Sequence, residues 1–124
     1  MRPKILVVDD EEDIRMLLKD LLSLSGYDVV SAANKEEFHS MAFREHPDAI
    51  ILDLILGDDE GTEVYNELIR DGLDPAIPVI FLTALAANMP PDKPHEGRRY
   101  LLRGKPFDGH ALVHDLGILL EPAA

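Results

Sequence analysis

The chain has no cysteine and no tryptophan among its 124 residues. Without thiols there can be no disulfide, no thiolate-held metal and no cysteine nucleophile. The missing tryptophan, with only three tyrosines and no glycine-rich phosphate loop, speaks against a flavin site. No apolar run approaches the roughly 20 residues that a membrane-spanning helix needs, and the first residues lack the apolar stretch of a signal peptide. The cytoplasm is the expected compartment. Basic residues are scarce: 12 Lys and Arg stand against 24 Asp and Glu, a formal net charge of −12. That balance argues against this chain gripping DNA, RNA or an anionic membrane by itself. A nucleophile elbow and internal repeats are absent, and the acids Asp58, Asp59 and Glu60 lack the spacing of an EF-hand loop.

What is present is alternation. The chain is expected to form one domain, residues 1–124, long enough to bury a core unaided. Ile5 to Val8 are apolar without a break, the mark of a short strand covered on both faces. Ile14, Leu17, Leu18, Leu21 and Leu22 then fall at helical spacing, with Glu11, Glu12 and Asp13 at the start and Gly26 beyond the end. "YDVVSA" reads as a second strand. Asn34 with Glu37 forms a variant capping box for a helix that buries Phe38, Met41 and Ala42 and ends at Pro47. "AIILDLIL" is a third strand, and the helix after it carries Val64, Leu68 and Ile69. "PVIFLTA" is a fourth.

The rhythm then breaks. "NMPPDKPHEG" places Pro90, Pro91 and Pro94 where a helix is due, and each proline inside a helix costs about 3 kcal/mol. A loop or a stunted turn is expected there. "RYLLR" gives a fifth strand. The closing helix, weakened by Gly117, turns Leu112, Leu116 and Leu119 or Leu120 inward. Strands alternating with helices indicate an α/β fold, a doubly wound parallel sheet of five strands with helices on both faces.

In such sheets the binding crevice lies beyond the carboxyl ends of the strands. The polar residues expected there are Asp9 and Asp10 after the first strand, Asp53 ending the third, Thr83 ending the fourth, and Lys105 with Pro106 after the fifth. Their summed charge of about −2 would be balanced by one Mg²⁺ or Mn²⁺, hard cations that favour oxygen ligands. Taken singly, each residue also fits a plain structural role: helix-start acids, a loop aspartate, a strand threonine, a surface lysine. His110 and His114 share a helix face at i and i+4, but no third ligand accompanies them, and they read as solvated surface residues. "GRRYLLRGK" reads as a protein-facing basic patch.

The ordered set "VVDDEED", "AIILDLIL…EG", "VIFLTA" and "GKPF" resembles the receiver domain of two-component response regulators, a CheY-like, flavodoxin-like module, from Ile5 to about Leu120. The resemblance implies strand order 2-1-3-4-5 and a signalling switch rather than an enzyme with an external substrate. Asp53 would accept a phosphoryl group from a histidine kinase or a histidine phosphotransfer protein. Asp9, Asp10, Asp53 and the backbone carbonyl of Ile55 would hold Mg²⁺. Thr83 and Lys105 would meet the phosphoryl oxygens. Thr83, Ala84, Leu102 and Tyr100 would form the switch region, and Ile55 and Leu85 would flank the acyl phosphate and slow its hydrolysis.

The chain also departs from the receiver pattern. Four and six residues beyond Asp53, where a proline and an apolar residue are usual, stand Gly57 and Asp59, which predicts a more mobile loop. Leu102 occupies the place of the usual aromatic switch, with Tyr100 two residues earlier. The proline-rich segment replaces the fourth helix, so the dimer commonly built from the fourth helix, fifth strand and fifth helix is not expected. The chain ends at Ala124 without a DNA-binding module, which suits either a stand-alone regulator or a piece of a longer regulator or hybrid kinase. The competing reading is a non-phosphorylated pseudo-receiver that serves as a scaffold.

Overall fold

The computed structural model describes residues 2–83, 100–104 and 108–120, with Thr83 and Tyr100 described by their backbone alone. Its elements run β1 (Lys4–Val8), α1 (Glu12–Leu24), β2 (Asp28–Ala32), α2 (Lys35–Glu45), β3 (Ala49–Asp53), β4 (Ile55–Leu56), β5 (Asp59–Glu60), α3 (Gly61–Arg70), β6 (Val79–Thr83), β7 (Tyr100–Gly104) and α4 (Gly109–Leu119). Five strands form one parallel sheet in the order β2-β1-β3-β6-β7. This is the expected 2-1-3-4-5 order, with two short strands inserted in the numbering. The prolines at 90, 91 and 94, and with them the expectations about the fourth helix and its dimer surface, lie outside the described residues.

Alternation along the strands sorts the core onto two faces. Leu6, Val8, Ile50, Leu52, Val79 and Phe81 pack with Phe38 and Ala42 of α2 and with Val64 and Leu68 of α3. Ile5, Val7, Ile51, Ile80, Leu82 and Leu101 pack with Leu18 and Leu22 of α1 and with Leu112, Leu116 and Leu119 of α4. Leu119 is the inward residue of the terminal pair, and Leu120 is only partly covered. Asn34 caps α2 as expected: its side chain accepts from the Glu37 N–H at 2.9 Å, while the Glu37 carboxylate accepts from the Ala33 N–H at 2.7 Å. Pro47 follows directly on the α2 C-cap, His46.

Two expectations need correction. Leu17 does not join the buried stripe of α1; it is 54% exposed. At about 100° per residue it lies a full step away from the line through Leu18 and Leu22, beyond the reach of the sheet. The apolar run "AIILDLIL" is also not one strand. It breaks after Asp53, whose side chain accepts the Ile55 N–H at 3.1 Å, a local bond that competes with continuing the strand. Ile55 and Leu56 then pair antiparallel with Asp59 and Glu60. Gly57, at φ 63, opens the two-residue turn between them, as a type II′ hairpin requires. Leu56 is buried in the α2–α3 face of the core and anchors this hairpin. The segment that carries Gly57 and Asp59 thus forms a short hairpin.

Candidate functional site

The site is built where β1 and β3 end side by side. Asp9 follows β1, and its N–H continues the ladder by donating to the Ala32 carbonyl at 3.1 Å. Asp9 is only 1% exposed. A buried carboxylate is costly unless it is hydrogen-bonded, and Asp9 Oδ1 accepts the Glu11 N–H at 2.9 Å. Arg15, one turn into α1, places Nη1 2.7 Å from the Asp9 carbonyl oxygen, which pins the backbone of the acidic turn and brings positive charge beside it. Asp53 closes β3 opposite Leu82 of β6 and is 6% exposed. Its Oδ1 takes the Ile55 N–H. Asp10 is exposed, and its Oδ2 accepts the Gly57 N–H at 3.3 Å.

Oxygen atoms of Asp9, Asp10 and Asp53 all lie within 4.8 Å of one another. At that separation two carboxylates repel by about 1 kcal/mol even with water-like screening, and by more where burial lowers the dielectric. A hard divalent cation relieves this repulsion and finds the oxygen ligands it favours. The donor set therefore fits Mg²⁺ or Mn²⁺. No buried side-chain nitrogen or oxygen among the described residues lacks a hydrogen-bond partner.

Of the other residues expected here, Thr83 ends β6 level with Gly104, the last residue of β7, on the same edge of the sheet as Asp53. Ile55 begins β4 with its side chain 53% exposed. Leu102 is partly covered and packs on the α2–α3 side of the core, and Tyr100 begins β7. Ala84, Leu85, Lys105 and Pro106 lie outside the described residues. His110 and His114 are exposed on α4. A cleft of about 590 Å³ opens at the opposite edge, among residues such as Phe43, His46, Asp48, Leu73, Asp74 and Ile77. Asp48 and Pro78 precede their strands, so this cleft is a strand length away from the acids.

Four features were not anticipated. Arg15 and Gly57 support the acids from α1 and from the hairpin. Gly61 lies against the Asp53 backbone. Arg103 makes a two-pronged ion pair with Asp115, at 2.6 and 2.9 Å. A signal for the last existed: Asp115 interrupts the apolar stripe Leu112, Leu116, Leu119, and Arg103 alternates with Leu101 toward the same face. Gly61 is the glycine of the "AIILDLIL…EG" motif, but the motif marks only its position and not the backbone contact it makes.

Comparison with known proteins agrees with this fold. The family model described as response regulator receiver domain matches residues 5–115. The alkaline phosphatase synthesis transcriptional regulatory protein PhoP of Bacillus subtilis is 46% identical over 84 residues, covering 68% of this chain and 34% of that protein. The phosphate regulon transcriptional regulatory protein PhoB of Pseudomonas aeruginosa is 33% identical over 95% of this chain and 60% of its own length. The chain thus spans between about a third and three fifths of these curated relatives. Among solved structures, a CheY-like response regulator receiver domain protein from Methanospirillum hungatei superposes with a TM-score of 0.79 at 25% identity, over 97% of this chain and 94% of that one.

Proposed function

Because this chain belongs to the response regulator receiver domain family, we propose that it is a phosphoacceptor switch with Asp53 as the accepting residue. One observation carries the reading. Buried Asp53 meets Asp9 and Asp10 within 4.8 Å at the carboxyl edge of the sheet, where the fold places its crevice.

A carboxylate oxygen of Asp53 forms the new O–P bond. The P–N bond to a donor phosphohistidine breaks, its electron pair stays on the imidazole nitrogen, and an acyl phosphate results. The donor is a histidine kinase or a histidine phosphotransfer protein. Asp9, Asp10, Asp53 and the carbonyl of Ile55 would hold Mg²⁺, which would supply charge neutralisation for the transferring group. Phosphoryl transfer asks mainly for alignment and charge balance. Burial and the hydrogen bonds from Glu11 and Ile55 keep Asp9 and Asp53 aligned, and Lys105 and the Thr83 hydroxyl meet the phosphoryl oxygens. The new charge on Asp53 then draws Thr83 and its neighbours inward, and a protein contact reads that shift.

Residues 1–124 act as one receiver unit. The net charge of −12 argues against a DNA contact made by these residues themselves. No described helix is long and apolar enough to cross a membrane, which is compatible with a cytoplasmic role.

The test is intact mass after incubation with acetyl phosphate and Mg²⁺, beside an Asp53→Asn variant and an EDTA control. One added phosphoryl group, dependent on metal and absent from Asp53→Asn, is expected. A folded protein that gains no adduct over a time course of seconds to minutes overturns the switch and leaves a scaffold-type pseudo-receiver.

A further inference from the structure

The three acids of the cluster are not held alike. Asp9 and Asp53 are buried, and each side chain accepts an N–H from two residues further on in its own turn. Asp10 is exposed. Its carboxylate is the member of the cluster best able to swing into water and escape its neighbours, because two like charges within 4.8 Å push it outward.

What the structure sets against that push comes from another part of the chain. Gly57, 47 positions away, donates its backbone N–H to Asp10 Oδ2 at 3.3 Å. The donor is presented by the β4–β5 hairpin, whose turn places Gly57 at φ 63. Few residues can fill that role. Most side chains are strained at such a φ, whereas glycine is not, and proline both forbids the angle and lacks the N–H. No atom lies within 4 Å of where a Gly57 Cβ would stand, so the conformation and the donor set the requirement, not crowding. Leu56, buried in the core next to it, fixes the hairpin that carries the donor.

We infer that Gly57 is a positioning residue for cation binding: its N–H holds the exposed carboxylate of Asp10 in the cluster before the cation arrives, so that the hairpin and the metal site are coupled. The inference rests on the reading of Asp9, Asp10 and Asp53 as the Mg²⁺ site. Because the hydrogen bond prepays part of the ordering of Asp10, losing it lowers affinity without removing a ligand.

Calorimetric titration of Mg²⁺ into the metal-free full chain tests this, with thermal melts to establish that each variant is folded. Gly57→Pro is expected to bind about fivefold more weakly, the scale of one ordinary hydrogen bond, since this one is long at 3.3 Å and exposed to water. Gly57→Asn, which keeps the N–H and tolerates positive φ, should restore affinity to within about twofold of the parent. In an Asp10→Ala background Gly57→Pro should cause no further loss, since its effect passes through Asp10. A folded Gly57→Pro that binds as tightly as the parent overturns the inference, and so does an equal loss in both backgrounds. If Gly57→Pro does not fold, the Gly57 amide resonance decides: it should shift in Asp10→Ala before any metal is added, and an unmoved resonance overturns the coupling. Asp53→Asn is the separate control. Unchanged Mg²⁺ affinity there overturns the cation site itself rather than the part played by Gly57.

Discussion

Gly61 lies against the backbone carbonyl of Asp53 so closely that a Cβ on Gly61 would overlap the oxygen. The Gly61 N–H donates to the Leu54 carbonyl at 2.7 Å, which locks α3 to the residue that follows Asp53. The start of a helix is therefore packed on the peptide that carries the central carboxylate, and the obstacle to a side chain there is backbone, which cannot rotate away.

Gly61→Ala should accordingly destabilise the chain by about 1–3 kcal/mol, the usual cost of forcing an extra methyl into a tight site. A helical position would otherwise favour alanine over glycine, so the sign of the change is diagnostic. Urea unfolding of the two proteins measures it. A stabilised Gly61→Ala would mean that the contact relaxes at little cost.

The ion pair between Arg103 and Asp115 joins β7 to α4, with the Asp115 side chain only 8% exposed. Removing one partner leaves the other charge largely buried and unpaired. Arg103→Met or Asp115→Leu alone should each cost about 3 kcal/mol, whereas the double substitution should restore most of the loss, since apolar replacement of both partners is often near neutral. A double-mutant cycle on denaturation midpoints reads the coupling directly. Additive losses would show that the two side chains act independently.

Asp10→Asn removes one of three crowded charges while keeping an oxygen acceptor. Without metal, this variant should melt at least about 3 °C above the parent, the effect of relieving at least about 1 kcal/mol of repulsion in a domain of this size. With Mg²⁺ the ranking should reverse, because the parent gains by ligand linkage and the variant gains less. Melting curves with EDTA and with excess Mg²⁺ supply both comparisons.

Tyr65 of α3 stands edge-on to Phe81 of β6, with ring centroids 5.9 Å apart and an interplanar angle of 88°. Burial pushes its phenol above the ordinary 10.0, and the Asp74 carboxylate pushes it further in the same direction. Below about pH 10 the phenol is neutral in both the folded and unfolded states and adds no pH dependence. Above that value the unfolded chain ionises first, so stability is lost as pH rises through the folded value. Denaturation midpoints should therefore fall less steeply above about pH 10 in Tyr65→Phe than in the parent. Equal slopes would show that Tyr65 titrates alike in both states.

Much of this was legible in the chain itself, and for identifiable reasons. Uninterrupted apolar runs such as Ile5–Val8 announce strands buried on both faces, because periodicity follows directly from which sides of an element meet the core. The Asn34–Glu37 cap was legible because it is local. Asp9, Asp10 and Asp53 could be assigned to one edge from strand ends alone, since a parallel sheet sends all its carboxyl ends the same way. Leu17 was misjudged for the opposite reason. The breadth of the covered stripe depends on how closely the sheet approaches α1, and helical spacing does not report it.

What the sequence determined by itself, then, was the order of elements, the two-sided core and the set of acids at the sheet edge, because each follows from a pattern a few residues long. Only the tertiary structure decided how those acids are held. The break of the third apolar run at Asp53, the hairpin that presents Gly57 to Asp10, the pressing of Gly61 on the Asp53 carbonyl and the Arg103–Asp115 pair are contacts made by turn geometry or between residues distant in the chain. Their directions are set by backbone angles and by packing that brings distant segments together, and a linear sequence does not display these before it folds.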